Sequence, residues 1–142
     1  MVTIRELVTD QEFRDAFPVM NELRDQLDET AYLELLAEMR PRGYRLIAAE
    51  EEGRIVALAG IGFGVNFYYR KYLWVYDLIT SDSERSKGHG LALMEYLEDL
   101  ARKEGCNTLA LASALHRTDA HRFYIDKVGL EKPSYTFSKP LE

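Results

Sequence analysis

The sequence predicts an α/β protein with a partly parallel sheet. Three observations carry this reading. Strand-like and helix-like patterns interleave along the chain. The stretch from Tyr72 to Ala112 reads strand, helix, strand. The length, 142 residues without repeat, low-complexity tract or linker-like segment, suits a single domain spanning 1–142. A strand–helix–strand unit returns its second strand parallel to the first, so a mixed sheet is expected.

Val2–Leu7 alternates Val, Ile and Leu with polar residues, as a half-buried strand does. Asp10 can cap a helix reaching about Gln26, with Phe13, Phe17, Met20 and Leu23 at helical spacing. Pro18 is expected to kink or divide it. A second helix starts near Asp28, with Tyr32, Leu35, Leu36 and Met39 on one face, and stops at Pro41 and Gly43. Tyr44–Glu50 and Arg54–Gly62 read as a hairpin around EEEG. Tyr72–Ser81 (YLWVYDLITS) is β-forming through its aromatic and β-branched content. Leu91–Glu104 is amphipathic, with Leu93, Met94, Leu97, Leu100 and Ala101 inward; Arg102 and Lys103 suit its negative end, and Gly105 closes it. Thr108–Ala112 is a short apolar strand, Asp119 can cap a last helix ending at Gly129, and SYTFSK makes a final strand.

Composition narrows the function classes. Hydrophobic residues make up 46% and charged residues 30%, a globular balance. A formal net charge of -6 opposes non-specific nucleic-acid binding, although a local basic loop remains compatible with it. The N-terminus lacks the cationic start and apolar block of a signal peptide. The most apolar run, Ile55–Val65, has 11 residues where a membrane helix needs about 20. The single cysteine, Cys106, excludes an internal disulfide and suits a reducing, cytoplasmic setting. It reads as a buried, inert thiol.

The most informative stretch is SERSKGHGLALMEYL, Ser83–Leu97. It follows a strand and opens a helix. The first amides of that helix lack intrahelical partners, and the helix dipole adds partial positive charge there. Gly88 and Gly90 give the loop a bare backbone, and Arg85 and Lys87 add full charges. Together they form a cradle for a diphosphate. No Gly-Lys-Ser/Thr follows, so a nucleoside-triphosphate loop is disfavoured. A dinucleotide fingerprint would need a third glycine where Leu93 stands.

Taken with GCNTLALAS and DAHRFYIDKVGLEKPSYTFSK, the loop makes the chain resemble the GNAT (GCN-related) N-acetyltransferases, closest to small bacterial members with AHRFY in the last helix. The resemblance is good from Tyr72 to Lys139 and weak before Tyr44. It implies a mixed central sheet splayed into a V, with acetyl-CoA as co-substrate inserted at the opening. By position it places Arg85, Ser86, Lys87, Gly88, His89, Gly90 and Leu91 at the pyrophosphate. Leu78, Ile79 and Thr80 fall on the strand that receives pantetheine, Leu78 and Thr80 pairing through their backbone as an added strand would. Tyr124 matches a tyrosine that protonates the departing thiolate. Chemistry supports that role, because a phenol of pKa about 10 can donate to a thiolate of pKa about 8.5. Ala120, Phe123, Tyr124 and Val128 recur at helical spacing, which turns Tyr124 inward.

The resemblance is incomplete at the base. Where relatives often carry Glu-Asp, this chain has Tyr76-Asp77. Asp77 is a candidate base for the amine and equally a structural acceptor. Neighbouring strand residues face opposite ways, so Tyr76 and Asp77 share a face only across a bulge. Arg117 stands where an asparagine is common and reads as solvated. His116, Asp119 and His121 match no common metal spacing, and no metal is expected. The aromatic stretch NFYYRKYLWVY, Asn66–Tyr76, reads as sheet core plus an exposed hairpin tip, with a cationic-amine pocket or a homodimer contact as the sharper alternatives.

The expected function is transfer of an acetyl group from acetyl-CoA to a primary amine of a small molecule or peptide, without nucleic acid or membrane. The alternative is a non-catalytic acyl-CoA-binding or regulatory module on the same fold.

Overall fold

A computed structural model of the chain describes residues 2–113 and 117–141. They form two compact units, one running to Leu111 and one starting at Ala112.

The first unit is a five-stranded mixed sheet in the order β1-β2-β3-β4-β5, built from β1 (Val2–Leu7), β2 (Arg45–Glu51), β3 (Arg54–Asn66), β4 (Arg70–Thr80) and β5 (Thr108–Leu111). The first four strands pair antiparallel and β5 pairs β4 in parallel, as the strand–helix–strand reading requires. Helices α1 (Asp10–Leu23) and α2 (Glu29–Met39) lie between β1 and β2, and α3 (His89–Lys103) joins β4 to β5. Phe13, Ala16 and Met20 of α1 and Tyr32 and Leu36 of α2 share a core with Leu46, Leu58 and Ile79 of the sheet. Leu93, Met94 and Leu97 of α3 are fully buried. No helix among the described residues is long and apolar enough to cross a membrane.

Several expected boundaries move for identifiable reasons. Thr9, not Asp10, is the N-cap of α1: its hydroxyl accepts from the Glu12 amide while Glu12 returns a bond to the Thr9 amide. The helix runs through Pro18 undivided and ends at Leu23, three residues before the expected Gln26. The second helix starts where expected, and Asp28 caps it by accepting from the Ala31 amide. Leu35 is exposed, because the buried stripe runs through Tyr32 and Leu36 instead. The β3–β4 hairpin is longer than periodicity suggests, reaching Asn66 and resuming at Arg70.

The second unit contains α4 (Thr118–Arg122) continuing into a wider π-helical turn over Phe123–Val128, closed by Gly129 at φ +86°. Its N-cap is Arg117 rather than Asp119. The expected final strand is not there: Ser134–Lys139 has no regular structure, with Tyr135 and Phe137 exposed. Strand propensity supplies side chains for a pleated surface but no ladder partner, and Pro133 and Pro140 bracket this segment.

Candidate functional site

The site is organised by β4. The register pairs Gly60 with Asp77 and Ile61 with Val75, leaving Tyr76 as an extra residue in a bulge. A side chain on Gly60 would point at the Tyr44 hydroxyl and the Asp77 carboxylate, and one on Gly62 would point at the Tyr76 ring. Gly60 and Gly62 are two residues apart on one strand, so they look to the same face. Tyr76 and Asp77 therefore share that face although they are neighbours. The bulge that the sequence demanded as a condition is present.

Beyond the bulge, the ladder sorts the remaining β4 residues. The Ser81 amide donates to the Val56 carbonyl at 2.9 Å. Antiparallel pairs alternate, so Ile79 opposite Leu58 also spends its backbone groups on β3. Leu78 and Thr80 turn theirs to the other edge. There β5 pairs only with Tyr72–Val75, so no described strand covers Leu78 to Thr80. Ile79 differs from its two neighbours, because its side chain is in the core at 6% exposure.

Asp77 is fully engaged. Its Oδ2 accepts from the Tyr44 hydroxyl at 2.7 Å and its Oδ1 from Arg24 Nε at 2.9 Å, with the charged Nη2 2.8 Å from Oδ1 as an ion pair. Arg24 Nη2 also donates to the Tyr76 carbonyl at 3.0 Å, inside the bulge. Burial, then the Asp77 charge, push the Tyr44 phenol well above its ordinary range and keep it a donor. Sequence reasoning missed both Arg24 and Tyr44, which lie 53 and 33 residues from Asp77.

The loop that follows holds the other candidate residues. Ser86 and Gly88 adopt positive φ, +68° and +84°, which turns the chain into α3. A Cβ on Gly88 would meet open space, so the need there is conformational. The helix starts at His89, two residues earlier than expected, with Gly88 as an N-cap lacking a side chain. Its first intrahelical bond runs from the Ala92 amide to the Gly88 carbonyl. The amides of His89, Gly90 and Leu91 thus have no intrahelical acceptor. Arg85 pairs with Asp82 at 2.8 Å on the surface.

Glu84, unassigned from sequence, is the buried anchor of this loop at 5% exposure. Lys87 Nζ donates to its Oε1 at 3.2 Å, His89 Nε2 lies 3.5 Å away, and Arg54 Nη2 is 3.8 Å from its Oε2. Lys87 foremost, and His89 and Arg54 after it, hold the Glu84 carboxyl below the usual carboxylate range against the effect of burial. Glu51, Glu84 and His89 bring three ligand-type atoms within 4.8 Å of one another. Lys87 and Arg54 already balance Glu84, so the group reads as an ion-pair network.

In the second unit, Tyr124 is half-buried on the π-helical turn and packs edge-on against Phe123 with ring centroids 5.6 Å apart. Burial raises its phenol above the ordinary value and the Arg117 charge partly offsets this. Arg117 is half-buried rather than solvated. Asp119 pairs with Arg122, while His116 lies outside the described residues. Back in the first unit, Tyr69, Tyr72 and Trp74 form a half-buried cluster with centroids 5.7–6.4 Å apart, whereas Phe67 and Tyr68 are exposed. Cys106 is half-buried, and burial pushes its thiol up.

Comparison with known proteins places this geometry. The family model of the acetyltransferase (GNAT) family matches residues 4–130. An uncharacterized N-acetyltransferase of Bacillus subtilis, YhdJ, is 41% identical over 142 residues, covering 99% of this chain and 100% of that protein. The aminoalkylphosphonate N-acetyltransferase of Salmonella typhimurium is 26% identical over 123 residues, covering 84% of this chain and 78% of its own. The solved structure of AAC(6')-Iy with a CoA-containing bisubstrate analogue of acetylneamine superposes with a TM-score of 0.86 at 13% identity, covering 100% and 99% of the two chains. With its mixed sheet and flanking helices, the chain belongs to the GNAT acetyltransferase family.

Proposed function

We propose that this protein, acting as one domain in the cytoplasm, transfers the acetyl group of acetyl-CoA to a primary amine of a small molecule or peptide. The observation that carries the reading is the pairing of two sets of free backbone donors. Among the described residues no strand pairs with β4 at Leu78 and Thr80 on that edge, and five residues after Thr80 begins the loop whose helix presents the His89–Leu91 amides. An extended pantetheine arm fits the first as an added strand, and a diphosphate fits the second. Arg85 and Lys87 supply charge beside the diphosphate. Lys87 would leave Glu84 for it, and Arg54 and His89 would remain beside the Glu84 carboxylate.

The amine, in its neutral form, attacks the thioester carbonyl carbon directly. A C–N bond forms, the C–S bond breaks, the departing thiolate takes a proton from the Tyr124 hydroxyl, and the proton shed by the acylated nitrogen passes through water to restore the phenol. The elevated phenol keeps that proton in place until the thiolate appears. Positioning two substrates on a rigid strand supplies a large share of the rate.

The deciding experiment is a panel of amines incubated with acetyl-CoA and enzyme, reading released thiol. Release that depends on amine and enzyme is the expected outcome. Tight acetyl-CoA binding with no release by any amine would favour the non-catalytic module.

A further inference from the structure

Two residues at the end of α1 grip β4 on either side of its open edge. Arg24 holds the Tyr76 carbonyl and the Asp77 carboxylate. Glu22 accepts from the Ser81 hydroxyl at 3.0 Å and the Asp82 amide at 2.8 Å. Between these two points lie Leu78 and Thr80, whose backbone groups face the edge that β5 leaves free. The Tyr44 hydroxyl closes the arrangement from β2's side by bonding the second carboxylate oxygen.

From this geometry we infer that Asp77 is a positioning residue: with Arg24 and Tyr44 it clamps the β4 bulge and thereby aims the Leu78 and Thr80 backbone at the cofactor, and it takes no proton from the amine. Both carboxylate oxygens already accept from protein donors, Oδ1 from Arg24 Nε at 2.9 Å and Oδ2 from the Tyr44 hydroxyl at 2.7 Å. With both oxygens engaged by the protein, the carboxylate is placed to hold the bulge rather than to receive an amine's proton. The same contacts suit a brace, since Arg24 at the end of α1 and Tyr44 just before β2 both bond the Asp77 carboxylate, and Arg24 also holds the Tyr76 carbonyl in the bulge. A bulge leaves one residue without ladder partners, and here the Tyr76 carbonyl finds its donor in Arg24.

The inference rests on the acetyl-transfer reading for its kinetic test but not for its binding test. The comparison is between Asp77→Asn and Arg24→Ala. Asparagine can still accept from Arg24 and donate to the Tyr44 oxygen, yet it cannot act as a base. Loss of a general base costs about 10²–10⁴ in turnover. A brace predicts that Asp77→Asn loses less than about tenfold and keeps the acid limb of the pH–rate profile, since base loss is what would move it. Arg24→Ala frees the carboxylate. If Asp77 were the base, this variant would match or exceed the parent. As a brace, it loses more than Asp77→Asn, and Arg24→Lys, with one point donor, falls between. The opposite ranking, Asp77→Asn worse than Arg24→Ala, overturns the inference.

Coenzyme A affinity, measured by calorimetry, supplies a readout independent of turnover. Arg24→Ala is expected to weaken it at least tenfold with the far-UV dichroism spectrum preserved, and parental affinity overturns the clamp. Absence of thiol release from the parent enzyme with every amine would sink the acetyl-transfer reading alone. The affinity ranking of the variants would still decide the clamp.

Discussion

The Tyr44 hydroxyl lies 1.8 Å from where a Cβ on Gly60 would stand. Gly60 is the ladder partner of Asp77, so the hydrogen bond from Tyr44 to Asp77 passes directly over it. Tyr44 reaches the carboxylate only because β3 is bare there.

Gly60→Ala is therefore expected to destabilise the fold by about 1–3 kcal/mol through overpacking, and to break the Tyr44–Asp77 bond. Denaturant titration of Gly60→Ala, Tyr44→Phe and the double variant checks this. Removing the hydroxyl takes away the nearest clashing atom, so the double variant should cost less than the sum. Strict additivity would show that the two positions do not compete for space.

Tyr124→Phe should lower turnover about tenfold or more while leaving acetyl-CoA affinity unchanged. Steady-state kinetics beside calorimetry separates the two quantities. Undiminished turnover would remove Tyr124 from thiolate protonation.

Charge reversal of the loop, Arg85→Glu with Lys87→Glu, should weaken acetyl-CoA binding, and more so at low salt, where screening is least. Arg85 pairs with Asp82 on the surface, but Lys87 balances the buried Glu84, so the double variant should also lose folding stability, and Arg85→Glu alone isolates the effect of charge on affinity. Equal affinity in the variant and the parent, at low and high salt, would end the diphosphate assignment.

The α1 cap gives a pH signature. The Val8 amide first, then Arg5 and the Thr9 amide, hold the Glu12 carboxyl near about 2, against an ordinary value of 4.5. A depressed folded value means that its stabilisation is complete above about 4.5 and disappears as pH falls toward about 2. Glu12→Gln should flatten the thermal-stability profile across that window, and Thr9→Ala should cost about 1 kcal/mol. An unchanged acid slope in Glu12→Gln would show that the capping box contributes nothing to acid sensitivity.

The amino-acid sequence alone determined the elements whose causes are local. Alternation in Val2–Leu7, the start of α2 near Asp28, the stripe Leu93–Met94–Leu97 and the glycine-bearing turn into α3 are legible because strand period, helix period and turn chemistry act over a few residues. The loop that opens α3 was visible for the same reason. Tertiary structure decided what depends on partners far along the chain. Whether SYTFSK became a strand depended on a neighbouring ladder, which residue spacing does not encode. Asp77 was ambiguous on paper because its meaning lies in Arg24, Tyr44 and Gly60, brought together by α1 and two register choices. Periodicity says which face a side chain takes; only the packed sheet says what is waiting there.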